Sequence, residues 1–454
     1  MLGVFFALAV MIGPETRLIE DSALVARLGS PRYAERESAE AALTGRGRAA
    51  LPALRAAASH RDLEVRTRVA AILQHLENSL VLQATPILLD FRGRPLTDVL
   101  RQINERSGLN LQVASREDPS CSSRRVTLEA SSPLPFWEAV DRICEAGRLR
   151  TTLGSSPDPG HQDDAFVFQD EAAASPGVVS DCGPFRVQLT NIAYQSEISL
   201  NRPRPVLALS GGPATPAVDP AAEFSANRQM YLQLLMAAEP RLAITQDGPV
   251  RLDEAVDDRG HSLIPPRVTA SLSHSSGYFG MNPTPSVRLR VDLARPDDAG
   301  RRIVRLKGVI PLMVATRKPG PLVVSLSIPT GRVHRNEDVA LVVREVRDPR
   351  GDQPAVIELI LDAAQGPSRP TLDDDRDLIP SRTDVPHQQL EVLDARGNSL
   401  AWFPSATTYA GNETRLTLTI PSSGSTAVPA TIRYHGIIRA STEVAFEFRD
   451  VPMP

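Results

Sequence analysis

Asp257-Asp258-Arg259-Gly260-His261-Ser262-Leu263 returns downstream as Asp394-Ala395-Arg396-Gly397-Asn398-Ser399-Leu400. Each copy fits a tight turn, with the aspartate bonding to the backbone and the glycine taking a positive φ. The segments C-terminal to each turn are repeated as well. Val287-Arg288-Leu289-Arg290-Val291 parallels Thr414-Arg415-Leu416-Thr417-Leu418, and Ile303 to Ile310 parallels Thr431 to Ile438. These last two elements keep nearly equal spacing, so the chain carries an internal duplication. Around them lie short alternating runs at 185–192, 230–235, 287–293, 303–314, 322–328, 339–346, 356–361, 415–420 and 431–448, separated by Pro, Gly and Asp. That rhythm predicts two related all-β sandwiches of about 130 residues each, assigned to 183–318 and 319–454. Glu443 to Asp450 alternates apolar and charged positions and is expected to close the second sandwich, the alternative being the edge of another molecule.

Towards the N-terminus the period changes. Ile87 to Phe91 reads as a strand, Leu96 to Ser107 as an amphipathic helix ended by Gly108, and Leu109 to Val113 as a strand. The steps then recur: strand at Arg125 to Glu129, helix at Pro135 to Glu145 closed by Gly147, strand at Ala165 to Phe168. Further upstream, Leu24, Leu28, Ala39, Leu43, Leu51, Leu54, Val65, Val69, Ile72 and Leu76 recur at three- and four-residue steps, with breaks at 29–31, 45–47 and 59–62. Short helices joined by short loops stack as antiparallel hairpins. The fold class expected is therefore multidomain α+β: short helical hairpins over 16–80, a βαββαβ domain over 81–172, then the two sandwiches.

Two resemblances attach to these residues. Leu28-Gly29-Ser30-Pro31, Arg36, Ala39, Leu43, Ala50-Leu51-Pro52-Ala53-Leu54 and Asp62-Leu63-Glu64-Val65-Arg66 resemble HEAT-like repeat units, over at most one seventh of the chain. Pro95-Leu96-Thr97-Asp98-Val99-Leu100, Ser107-Gly108-Leu109-Asn110 and Pro133-Leu134-Pro135-Phe136-Trp137-Glu138-Ala139-Val140 resemble the short N-terminal domain of secretins and TonB-dependent receptors. The second resemblance implies a non-enzymatic envelope module used for protein contacts. No following secretin or barrel segment is recognised, so neither a pore nor a transporter is implied.

Composition narrows the function classes. Among 454 residues, 23% are charged and the formal net charge is -4, a solvated surface that favours neither nucleic acid nor an anionic membrane. Aromatics are 4% and prolines number 39, so cores must rest on Val, Leu, Ile and Ala. Leu2 to Ile12 has the length of a signal-peptide core and is too short to span a bilayer; residues 1–15 are expected to export or anchor the chain, the rival being a buried helix. Residues 201–227 and 366–387 are Pro-rich and polar and read as surface loops or linkers.

Chemistry-bearing residues are sparse. Of three cysteines, Cys144 sits at helical spacing with core residues, whereas Cys121 and Cys182 lie in loop-like surroundings and are a candidate disulfide in an oxidising compartment. No nucleophile elbow, phosphate loop, dinucleotide fingerprint, zincin helix or CxxC pair is present, so no catalytic, cofactor or metal residue is assigned. His261 and His435 read as loop or strand histidines. Asp373, Asp375 and Asp377 alternate as in a calcium loop, but Leu378 stands where glycine is needed and Arg376 interrupts the carboxylates, so an acidic linker is expected. His161 with Asp163 and Asp164 reads as a hairpin turn, and Ser273 to Ser276 as a loop. Trp137 and Trp402 lie within apolar runs and read as core anchors.

The expectation from sequence is an exported, non-catalytic scaffold or protein-interaction protein of the bacterial cell envelope, with envelope proteins as partners and membrane contact through the N-terminal segment alone. The contact surfaces expected are the concave helical face, the edges of the βαββαβ domain and the sandwich loops. A cell-wall or carbohydrate binder is the first alternative, needing an aromatic platform from Tyr278, Phe279, Tyr409 or Trp402. A hydrolase with an inter-domain site is the second.

Overall fold

The computed structural model describes residues 14–113, 121, 123–153, 166–170, 177–199, 225–266, 285–349, 353–363, 389–410, 413–421 and 428–454. The protein is multidomain α+β, with N-terminal helices, a mixed α/β region and then antiparallel sheets. It divides between Gln83 and Ala84 into two units. Expectations for the export or anchor segment at 1–13, His161, Asp163, Asp164, residues 201–224, 273–276, Tyr278, Phe279 and 366–387 lie outside the described residues.

The first unit contains helices α1 (Pro14–Arg27), α2 (Tyr33–Arg46), α3 (Leu51–Ala56) and α4 (Leu63–Val81), with a 3₁₀ turn at Gly47–Ala50. Asp62 caps α4 by accepting from Glu64 N at 2.9 Å, which satisfies one of the amides a helix start leaves unpaired. Leu28, Leu43, Leu54, Val69 and Ile72, each at most 2% exposed, form the shared core. These are the three- and four-step positions of the sequence pattern. The buried carboxylate of Asp21 is neutralised by Arg46.

In the second unit the α/β region runs β1 (Pro86–Ile87), β2 (Asp90–Pro95), α5 (Leu96–Ser107), β3 (Leu111–Val113), β4 (Arg125–Glu129), β5 (Leu134–Pro135), α6 (Phe136–Gly147), β6 (Leu149–Leu153) and β7 (Phe166–Asp170). The pairs β1–β5, β2–β4 and β6–β7 are antiparallel, and β3–β7 is parallel. Strands β5 and β6 go beyond the expected strand-helix order, and the single strand expected over Ile87 to Phe91 is two, β1 and β2, with different partners. Phe136, Trp137 and Phe166 meet edge to face with centroids 5.1–5.7 Å apart, a geometry that adds to area burial.

Two antiparallel systems come next, consistent with sandwiches. The first has β8 (Val178–Cys182), β9 (Phe185–Ser199), β10 (Ser225–Ala238), β11 (Ala243–Gln246), β12 (Arg251–Asp257), β13 (Ser286–Leu293) and β14 (Arg302–Arg317). The second has β15 (Leu322–Ser325), β16 (Val333–Arg335), β17 (Val339–Arg347), β18 (Ala355–Ala363), β19 (Leu390–Asp394), β20 (Phe403–Ala410), β21 (Glu413–Ile420) and β22 (Pro429–Tyr434), and β23 (Ile437–Pro452) comes last. One sheet of each is ordered β13-β10-β9-β8 and β16-β17-β18-β21-β20; the facing strands are β11 and β12 beside β14, and β15-β22-β19. Because β10 starts at Ser225, the expected linker over 201–227 overlaps a strand at its end.

The final strand departs from expectation. Instead of closing the second sandwich, β23 pairs along fifteen registered positions with β14 of the first, from Arg302↔Pro452 to Arg317↔Ile437. The run read as one strand over 431–448 is two strands broken at His435-Gly436, so β22 stays in the second sandwich while β23 returns to the first. The physical reason is pattern: Val444, Phe446 and Phe448 are buried on alternate positions, and a two-residue period specifies a face without specifying which sheet supplies the partner.

Candidate functional site

The duplicated turns are the most constrained polar feature. Asp257 Oδ1 accepts from Arg259 N at 2.9 Å and His261 N at 2.8 Å, and Oδ2 accepts from Gly300 N at 2.7 Å and lies 3.1 Å from His261 Nδ1. Asp394 repeats this, accepting from Arg396 N and Asn398 N at 2.8 Å and from Asn398 Nδ2 at 2.9 Å. Gly260 and Gly397 both hold φ +84°, where a side chain is strained. Burial opposes ionisation of Asp257, but donation from Gly300, His261 and Arg259 outweighs it and holds the carboxyl below the usual range. His261 thus serves the turn in the role that Asn398 plays in the second copy. Its Nε2 lies 3.5 Å from Asp298 Oδ2.

The register of the duplication is corrected by two residues. With Asp257 matched to Asp394, the strand pairs Asp257↔Ile303, Ala255↔Leu306 and Glu254↔Lys307 correspond to Asp394↔Pro429, Val392↔Ile432 and Glu391↔Arg433. Ile303 therefore matches Pro429 and not Thr431. A two-residue slip leaves every side chain on its face, so the pattern alone cannot fix it.

The α/β region is locked to the first sandwich by Arg186 of β9. Its guanidinium makes paired 2.7 Å bonds to both oxygens of Asp141 on α6, bonds Asp181 on β8 at 2.7 Å, and lies 4.7 Å over the Trp137 ring. Trp137 Nε1 donates to Pro184 O at 3.1 Å. Burial opposes the charge on Arg186, but the two aspartates raise its pKa. Nearby, the fully buried Glu239 accepts from Thr85 N at 2.7 Å and from Arg241 Nε at 2.9 Å. Arg186→Ala is expected to destabilise this unit by about 2–4 kcal/mol, because it strips a stacked, doubly paired guanidinium. Arg186→Lys should recover only part of the loss, since an ammonium lacks the two-pronged geometry. Denaturant melts of the three proteins check this.

Between the sandwiches the chain crosses twice, through 318–321 and through 435–436. Lys318 N donates to Gly436 O at 2.7 Å, so the crossings are bonded to each other. Lys318 Nζ bonds Asp338 Oδ1 at 2.7 Å and Glu337 Oε1 at 3.3 Å. Burial works against its charge, yet the two carboxylates raise its pKa. Glu391, 3.4 Å from His435 Nε2 and 3.6 Å from Arg433, has a lowered pKa, first through His435 and against its own burial.

Of the residues singled out in the sequence, Trp137 and Trp402 are buried, which removes Trp402 from any ligand platform. Tyr409 is 44% exposed near the end of β20, and Phe403 is 46% exposed at its start. Cys121 is buried in the α/β core and Cys182 ends β8, and no disulfide joins these two described residues. Asp373, Asp375 and Asp377 lie outside the described residues. Among the described residues no group of three or more His, Cys, Asp or Glu is placed to hold a metal. Arg186, Asp141, Glu239 and Lys318 were not marked by sequence, since the partnerships Arg186–Asp141, Glu239–Thr85 and Lys318–Asp338 span 20 to 154 positions. Open grooves of about 820 Å³ and 500 Å³ flank the Asp394 turn and the Asp247-Gly248-Pro249 link between β11 and β12. Compared with family models, curated proteins and solved structures, the chain matches none.

Proposed function

We propose that this protein is an exported, non-catalytic scaffold of the bacterial cell envelope that works by protein contact. In this reading the helical unit acts as a HEAT-like pair of hairpins and the α/β region as a module of the secretin and TonB short-domain kind. The observation that carries the proposal is the double crossing between the sandwiches: β14 continues into β15 and β22 into β23, bonded at Lys318 and Gly436. Two covalent crossings resist bending and twisting where a single flexible linker would not. A body held in this way presents its edges and loops in fixed relation, which is what a scaffold requires.

The test is a pull-down of the tagged protein from its own envelope fraction, with mass spectrometry of the partners and of the bait's N-terminal peptide. A processed or anchored N-terminus with reproducible protein partners is expected. An intact cytosolic bait contradicts the proposal. A glycan-binding reading draws support from Tyr409, which is 44% exposed on β20. Recovery of glycan without protein partners would favour it.

A further inference from the structure

The two sandwiches exchange strands through their crossings. β14 runs through 318–321 into β15, which pairs with β22 in the second sandwich, and β22 runs through 435–436 into β23, which pairs with β14 in the first. β15 and β23 take the same place, each on the side of its partner away from β12 or the matching β19. Phe448 faces Leu306 as Val324 faces the equivalent Ile432, and all four are buried. The arms that lead to these places pair with each other. Counting onward from the match of Ile303 with Pro429, Val314 is equivalent to Ala440, and these two residues are themselves a registered pair. Pro311↔Glu443 and Arg317↔Ile437 are then images of one another about that pair. Equivalent arms that meet antiparallel about a local two-fold, each completing the other's sandwich, have the geometry of a strand-exchanged dimer contained in one chain.

We propose that the same exchange takes place between two copies of this chain, the first sandwich of each being completed by β23 of the other. The exchanged body is 322–454, and one hinge, Lys318-Pro319-Gly320-Pro321, joins it to the rest of the chain. Opening that hinge lets the second sandwich and β23 of one copy dock on β14 of the other with every contact remade, including the Lys318–Gly436 bond. Short hinges of restricted conformation invite exchange, because a chain that folds back with difficulty meets its missing segment in a neighbour. Here two prolines in four residues fix φ and restrict the residue before each. The occupant is a second copy because the place beside β14 is specified along fifteen registered positions and by the buried Val444, Phe446, Phe448 and Val451, all of which a second β23 reproduces. With contacts equal in the two forms, chain concentration decides between them. Exchange occurs during folding, since release of β23 from a finished monomer opens the first sandwich. The inference goes beyond the scaffold reading and does not rest on it.

The test uses two full-length variants, Met313→Cys and Ser441→Cys. Met313 on β14 is half-buried, Ser441 on β23 is exposed, and the two face each other in the ladder. Opposed residues of an antiparallel pair have Cα atoms about 4.5–5.5 Å apart, inside disulfide range. The variants are unfolded in urea, mixed, refolded together at about 5–500 µM and oxidised; a disulfide between chains at 313–441 is expected, in a fraction that rises with concentration. Peptide mapping separates it from links through Cys121, Cys144 or Cys182. Insertion of Gly-Ser-Gly-Ser after Gly320 should lower that fraction several-fold, since a relaxed hinge lets each chain close on itself. The dilute double variant Met313→Cys/Ser441→Cys should close within one chain, which shows that both cysteines are tolerated. Thr417→Cys, on β21 of the second sandwich, should not link to Ser441→Cys. No interchain 313–441 link at the highest concentration while the double variant closes, or an equal yield from Thr417→Cys, overturns the proposal. A double variant that does not close overturns it too, by removing the ladder itself.

Discussion

A chain ending at Gly436 will lose the first sandwich and keep the second. Deletion of β23 strips β14 of the partner that runs along its whole length and exposes what Val444, Phe446, Phe448 and Val451 cover, each at most 3% exposed. Four large apolar side chains contribute about 1.5–3 kcal/mol each on burial, roughly 6–12 kcal/mol together. That is the whole stability of an ordinary domain. The core of the second sandwich runs from Val324 to Tyr434 and contains no residue of β23. Limited proteolysis with mass mapping should therefore find new cuts within 185–199 and 225–238 and continued resistance over 339–363. The point variant Phe446→Ala should reproduce the effect in milder form, losing about 3–5 kcal/mol. Its ring lies against Gly308, where an added Cβ would come within 2.4 Å of Arg251 O, so Gly308→Ala is expected to weaken the same seam.

Asp257→Ala will destabilise far more than Asp394→Ala, although the two aspartates hold the same turn. Asp257 is 1% exposed and binds three backbone amides and an imidazole. Truncation leaves the buried Gly300 amide without an acceptor and strips the part-buried Arg259 and His261 amides of theirs, a loss of about 2–4 kcal/mol. Asp394 is only half-buried and the amides it holds belong to the exposed Arg396 and Asn398, so they regain water. The pH dependence comes from the lowered folded-state pKa of Asp257. Its ionised form is favoured by folding, so its contribution is fully present above the unfolded value of about 4 and is lost as pH falls below it. Urea melts between pH 2 and 7 should give wild type a steeper acid limb than Asp257→Asn.

Much of the architecture was legible because it is periodic. Val65, Val69, Ile72 and Leu76 announce α4, and the alternation of 303–314 announces β14, since burial of one face imposes each spacing. Strands such as β12, with Asp253 and Glu254 in its middle, and β20, with Pro404 near its start, escape that reading because they are half-exposed and the sheet around them decides their conformation. Pairing was not legible. β14 and β23 meet across more than a hundred intervening residues, and nothing local distinguishes the sheet that β23 joins from the one it leaves. The Asp turns were readable from a short motif, whereas the Arg186–Asp141 lock has no motif. It joins a helix to a strand 45 positions apart.

The most direct measurement is hydrogen exchange on the intact protein, resolved by strand. If the last strand completes the first sandwich, amides of 437–452 open with the same free energy as those of 302–317 and 225–238, and apart from those of 339–363. If 437–452 instead exchanges together with 339–363, the strand belongs to the second sandwich and the double crossing at Lys318 and Gly436, on which the scaffold reading rests, is wrong.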